Sequence, residues 1–198
     1  VDTVVFDKTG TLTRNEVAVL DKNIFPQAAN IPLPADMAAL RGGENVEAFL
    51  ERICFTLAGS LGSLSTHPLS VALAAEAEKR GFAAQSLEEF VSIAGRGVKA
   101  VYLAADGAVI PVALGNPAFM LELAENSPKT TEESASPELS RLAAAAAREG
   151  ASPLFLAVRG LPVAMFNMAA PLRPEAKEVV EALQKSGLRV LLLSGDNR

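Results

Sequence analysis

The run Val4-Val5-Phe6, followed at once by Asp7 and the stretch Lys8-Thr9-Gly10-Thr11-Leu12-Thr13, limits the fold more than any other part of the chain. A short, continuous apolar run rich in β-branched residues is the pattern of a strand covered on both faces, as in parallel sheets. Open sheets of that kind bind ligands just outside the carboxyl ends of their strands, which is where Asp7 falls. The turn behind it can aim backbone N–H groups at an anion, Gly10 lets the backbone come close, and the hydroxyls of Thr9, Thr11 and Thr13 add donors. A carboxylate beside a phosphate cradle has the chemistry of a nucleophile that becomes an aspartyl phosphate. The ordinary alternative is an Asp that caps a strand-to-turn junction.

The chain is long and apolar enough for one or two domains with real cores: 198 residues, 49% hydrophobic and 21% charged. Its formal net charge is −5 and its basic residues are scattered, which speaks against nucleic acid or an anionic membrane surface as partner. Cys54, the single cysteine, sits in the apolar run Arg52-Ile53-Cys54-Phe55-Thr56-Leu57 and reads as a small core residue without a disulfide partner. No signal peptide is visible, and no apolar run approaches the ~20 residues that span a bilayer.

Taken in order, the chain predicts a first strand and loop over 1–15, a weak strand over 16–20, and an irregular stretch over 21–44 with one short helix over 35–40. Apolar residues at Val46, Phe49, Leu50, Ile53, Cys54 and Leu57 give a core-facing helix over 45–61, ended by Gly62-Ser63-Leu64-Ser65. A second helix begins at Pro68 and stops at Gly81, with Lys79 and Arg80 at its negative end, so that His67 is held at a helix start. Strands follow over 87–93, 98–103 and 108–114, the last two joined as a hairpin by Asp106-Gly107. Then come a helix over 117–125, a polar loop over 126–137, a helix over 140–149, strands over 154–158 and 162–166, a helix over 173–186 and a strand over 188–193. The last strand also ends in a small residue, a Gly and a carboxylate, Ser194-Gly195-Asp196. Two such strand ends predict one parallel sheet built from residues 1–13 and roughly 168–198, with the residues between them inserted as a domain.

The seven residues Asp7-Lys8-Thr9-Gly10-Thr11-Leu12-Thr13 resemble the phosphorylation motif of P-type ATPases, the ion pumps that work through a phosphorylated aspartate. Haloacid-dehalogenase-type phosphatases are similar here too, but carry a second Asp two residues after the nucleophile as general acid and base. That position is Thr9, whose hydroxyl cannot serve as an efficient base near neutral pH, so the phosphoenzyme is expected to be long-lived. The heavy-metal-transporting branch resembles this chain further, through a His-Pro pair, a GxG turn and a later Gly-Asn. His67-Pro68, Gly95-Arg96-Gly97 and Gly115-Asn116 occur in that order. Read by themselves, a His fixed before a Pro can stack on or hydrogen-bond adenine, glycines bring backbone close to a base or phosphate, and Asn116 before Pro117 is an N-cap.

The resemblance implies an α/β fold in which an antiparallel sheet with helices, the nucleotide-binding domain, is inserted into a partial haloacid-dehalogenase-like parallel α/β sheet. It divides the chain into 1–15 and 161–198 as parts of the phosphorylation domain and 16–160 as the nucleotide-binding domain. It implies ATP and Mg²⁺ as cofactors, with Asp7, Lys8 and Thr9 catalytic and Asp7 and Thr9 toward the metal. His67, Gly95, Gly97, Gly115, Asn116, Thr11, Arg173, Ser194, Gly195 and Asp196 would meet the nucleotide. The implied parent is an ATP-driven heavy-metal exporter, copper being the expected cargo, with this stretch an excised segment on the cytoplasmic face that works with transmembrane and actuator domains of the same chain. A soluble phosphatase using Asp7, or a nucleotide-binding module without turnover, are the alternatives. Two positions depart from the family: an acidic residue that contacts adenine is replaced by Gly62, and an Asp just before Pro171 by Ala170.

Overall fold

A computed structural model describes residues 2–7, 11–14, 16–125 and 135–193. Two sheets organise them. Strand β1 (Thr3–Asp7) pairs in parallel with β8 (Arg189–Leu193), Asp7 opposite Leu193, so both strands end at the same edge. The second sheet is antiparallel and six-stranded, in the order β2-β7-β6-β5-β4-β3. Its strands are β2 (Ala18–Ile24), β3 (Glu88–Ile93), β4 (Gly97–Leu103), β5 (Val109–Gly115), β6 (Ser152–Val158) and β7 (Leu161–Ala169). An antiparallel domain set into a parallel α/β frame is thus the observed fold, as the sequence predicts.

The helices lie on both faces of the larger sheet. Helix α1 (Ala35–Ala38) is short; α2 (Val46–Ser63) and α3 (Pro68–Lys79) form an antiparallel pair on one face. Helices α4 (Pro117–Glu125) and α5 (Ala135–Arg148) pack on the other, and α6 (Ala176–Lys185) accompanies β8. Strand β6 shows why the sequence reads as an unbroken apolar run. Leu154, Leu156 and Val158 enter the core under α2 and α3, while Phe155 and Ala157 enter the core under α4 and α5, so the period of two is hidden because both faces are covered. Strand β4 has only one covered face: Val98, Ala100 and Tyr102 are buried, and Lys99 and Leu103 are exposed. Cys54 lies in the first core, and burial pushes its thiol pKa up to about 12, as a structural cysteine requires.

Several expectations change in contact with the structure. Leu161–Ala169 does not return to the parallel sheet with the rest of 161–198; it is paired on one side with β6 and on the other with β2. The break expected over 62–65 falls at Leu64, two residues later than expected, since α2 continues to Ser63 and Gly62 is a packing residue rather than a breaker. The weak strand over 16–20 runs instead over Ala18–Ile24, at the sheet edge where Asp21-Lys22-Asn23 can face water. The helix predicted over 140–149 starts at Ala135, with Pro137 in the first turn where the missing N–H costs nothing. The rest of the polar loop over 126–137 falls on 126–134, outside the described residues. The helix predicted over 173–186 is the shorter Ala176–Lys185.

The larger sheet is joined to the parallel pair by two chain crossings that lie side by side. Thr13 and Leu172 form an isolated antiparallel bridge, the Arg14 amide donates to the Pro171 carbonyl at 2.8 Å, and the Arg173 amide donates to the Leu12 carbonyl at 2.8 Å.

Candidate functional site

The start of α3, the β3–β4 turn and the start of α4 open onto one cleft of about 760 Å³. His67 lies at its edge as the N-cap of α3: the Leu69 amide donates to His67 Nδ1 at 3.3 Å, and the His67 amide donates to Ser65 Oγ at 3.2 Å. With Nδ1 accepting from the helix, Nε2 is left as the ring's other polar atom on an exposed side chain. Pro68 starts the helix, its fixed φ suiting the first turn. Gly95 and Gly97 line the same cleft with Asn116, and the far wall is Ala151, Ser152, Pro153 and Leu154, from the start of β6.

The two glycines of the turn do different work. Gly95 has φ +71° and open space where a side chain would point, so it is there for its backbone conformation. Gly97 faces Gly115 across the β4–β5 ladder, and a Cβ on it would strike the Leu114 carbonyl and come within 2.6 Å of the Gly115 Cα. Gly115 itself would meet the Arg96 carbonyl and the Phe119 ring, both at 2.6 Å. It does not line the cleft. Unlike the other predicted corners, Gly115 lies behind the lining, where its lack of a side chain serves strand-to-strand contact.

Asn116 ties the cleft together. Its Oδ1 accepts from the Phe119 amide at 2.9 Å as the cap of α4, its Nδ2 donates to the Gly95 carbonyl at 2.8 Å, and its own amide donates to the Arg96 carbonyl at 2.9 Å. Both residues of the turn thus have their carbonyls held by one side chain and one amide. Arg96 also lines the cleft, and its guanidinium is ion-paired with Glu122 on α4. Both side chains are about half exposed, at 50% and 48%, and pairs of that kind are worth about 0–1 kcal/mol. Sequence reasoning took the GxG turn for its glycines and passed over Arg96. The wall at 151–154 it could not have found, since nothing in an apolar strand marks it as lining a cleft.

The other predicted residues gather elsewhere. Asp7 is exposed at the tip of β1, Thr11 is exposed four residues on, and half-buried Arg173 is held by its amide to Leu12. None of these lines the cleft. Lys8, Thr9, Ser194, Gly195 and Asp196 lie outside the described residues. Among the described residues, no three His, Cys, Asp or Glu side chains form a metal-holding group. A single exposed carboxylate fits Mg²⁺ nonetheless, because that ion takes one or two carboxylates and completes its octahedron with water and substrate phosphate. No helix among the described residues is long and apolar enough to cross a membrane.

Known proteins resemble this chain over its whole length. The copper-exporting P-type ATPase B of Archaeoglobus fulgidus is 29% identical over 195 residues, which are 98% of this chain and 23% of that protein. A copper-exporting P-type ATPase of Legionella pneumophila is 30% identical over 199 residues, 100% of this chain and 22% of that protein. The chain therefore spans less than a quarter of the length of these relatives. Among solved structures, a zinc-transporting PIB-type ATPase in the E2.Pi state has a TM-score of 0.68 at 22% identity, covering 100% of this chain and 26% of that one. The catalytic domain of a CPx-ATPase has a TM-score of 0.58 at 20% identity, covering 100% and 55%. At such identities these two structures speak to the fold alone. The model of the haloacid dehalogenase-like hydrolases matches residues 1–198, from the strand that carries Asp7 to the end of the chain, and to that family the chain belongs.

Proposed function

We propose that this chain is the nucleotide-binding and phosphorylated part of an ATP-driven heavy-metal cation pump, with copper as cargo. The observation that carries the reading is the convergence of His67, the Gly95-Arg96-Gly97 turn and Asn116 on one cleft, in a sheet inserted behind the strand that ends at Asp7. The names of the curated relatives, copper-exporting P-type ATPases, support the cargo and the pump. The pairing of β7 with β2 and β6 supports moving the expected boundary from 160 to 170, which gives 16–170 as the nucleotide-binding domain and 1–15 with 171–198 as parts of the phosphorylation domain.

In this reading adenine enters the cleft, stacked at His67 and against the Pro153 and Leu154 wall, and a closure of the two domains brings the γ-phosphate to Asp7. One Asp7 carboxylate oxygen attacks the γ-phosphorus in line, the bond to the β,γ-bridging oxygen breaks, and ADP leaves. Positioning and charge stabilisation supply most of such catalysis. On this reading Lys8 and the backbone and hydroxyls of Thr9 and Thr11 would neutralise phosphate charge, Arg173 would contact the nucleotide, and Ser194, Gly195 and Asp196 would contact the phosphate and ribose. Asp7 and the Thr9 carbonyl would hold Mg²⁺, which would supply charge neutralisation for the transferred phosphoryl group. Thr9 offers no general base, so the aspartyl phosphate persists long enough to drive a conformational cycle. The cycle needs the transmembrane and actuator domains of the same protein, with this chain on the cytoplasmic face. A phosphatase built on Asp7 would leave the cleft without a role.

The test is acid-stable labelling of the whole pump from γ-labelled ATP. Label that requires copper(I) and is lost in Asp7→Asn is the expected result. Rapid steady release of phosphate from phosphomonoesters with no trapped label would replace this reading with the phosphatase. In the present chain, His67→Ala should weaken ATP binding about tenfold by calorimetry, the loss of one good contact to the base.

A further inference from the structure

We infer that Arg96 is a nucleotide-phosphate ligand that Glu122 holds in reserve, an assignment that rests on the reading of the cleft as an ATP site. Among the described residues lining that cleft, Arg96 alone carries a formal charge; the other polar groups are hydroxyls, the His67 imidazole and the Asn116 amide. ATP is strongly anionic, and a chain of net charge −5 supplies no general positive field to hold it. A local cation has to do so. The Arg96 backbone is fixed by the left-handed Gly95 before it, the tight Gly97–Gly115 pair after it and the Asn116 amide on its carbonyl. Only the side chain is left to move.

That side chain is now paired with Glu122, which is not part of the cleft lining. The pair is half exposed on both sides and therefore screened and weak. A phosphate matches the guanidinium fork in two parallel hydrogen bonds and brings more charge than a carboxylate. A nucleotide seated in the cleft therefore takes Arg96 from Glu122, and Glu122 acts as an internal competitor that lowers affinity for the phosphate tail without touching the base.

Calorimetric titration of this chain with ATP and with adenosine, at low and moderate salt, tests the assignment. Arg96→Ala should weaken ATP tenfold or more, keep adenosine within twofold and flatten the salt dependence. Arg96→Lys, which keeps the charge and loses the fork, should fall between. Glu122→Gln should tighten ATP about threefold, and the double variant should bind like Arg96→Ala. Equal losses for ATP and adenosine in Arg96→Ala would mean that Arg96 only shapes the turn, and the inference fails. An unchanged ATP affinity in Arg96→Ala beside a weakened one in His67→Ala also defeats it while leaving the cleft as the ATP site. If neither variant moves ATP affinity, the cleft is not where ATP binds and both readings fall.

Discussion

A Cβ placed on Gly62 would collide with the Ser70 carbonyl oxygen and lie 3.2 Å from Ala74 Cβ; one on Gly59 would lie 2.6 Å from Ala77 Cβ. The two glycines, one helical turn apart on α2, let α3 approach backbone to backbone. An acidic side chain at position 62 has no room, so its absence is a packing requirement of this chain rather than a simple loss of a nucleotide contact. Because His67 is the N-cap of α3, the same approach sets where the imidazole sits relative to the Gly95-Arg96-Gly97 turn. Gly62→Ala should therefore destabilise the fold by about 1–3 kcal/mol in urea titration, the usual range for overpacking, and should weaken ATP binding in the folded fraction as the α3 start is pushed outward. A variant as stable as the parent would show that α3 moves freely against α2.

Among the elements, the contact between α1 and the β4–β5 hairpin has a titratable side chain at each end. Tyr102 donates to Asp36 Oδ2 at 2.6 Å, and the Ala105 amide donates to the same oxygen at 3.1 Å. The Tyr102 hydroxyl, then the Ala105 amide, hold the Asp36 carboxyl below its ordinary value, while burial first and Asp36 second push Tyr102 up to about 12. The signs are opposite. Asp36 stabilises the fold above its unfolded pKa, near 3.8, and that contribution is lost as pH falls through its lower folded value. Tyr102 stabilises it below about pH 10, and that contribution is lost as pH rises toward 12. Tyr102→Phe should thus be less stable than the parent at neutral pH, and the gap between the two urea midpoints should narrow below pH 4 and above pH 10. The helix from Pro68 and the Asp106-Gly107 hairpin were legible because their start and stop residues are local. The contact of α1 with the hairpin was not, since Asp36 and Tyr102 are 66 residues apart. Nor was the place of β7, because an apolar strand carries no mark of which sheet will pair with it. The cleft was legible in its named corners, His67, the glycine turn and Asn116, whereas Arg96 and the 151–154 wall became visible only once strands β3 to β6 were laid side by side.

At the scale of the molecule, the two sheets differ in how well they are covered. The six-stranded sheet has a core on each face, whereas the β1–β8 pair leaves Val5 and Leu192 more than half exposed, at 57% and 58%. Two strands alone make a marginal sheet. Amide hydrogens of Thr3–Asp7 and Arg189–Leu193 should accordingly exchange faster than those of β5, β6 and β7, and saturating ATP should slow exchange in the cleft more than in β1 and β8. Uniform exchange across both sheets would contradict this. Between them run the Leu12–Arg14 and Pro171–Arg173 segments, stitched to each other by the two backbone hydrogen bonds of the Thr13–Leu172 bridge. A domain hung on two loose tethers can tumble in any direction, but a ribbon of two bonded strands bends easily only across its flat side and resists shear along its length. On the proposed reading, the travel of a bound nucleotide toward Asp7 is therefore confined to a narrow arc, as a door is by its leaf hinge, with reach and aim set together by the same four residues, Leu12, Arg14, Pro171 and Arg173.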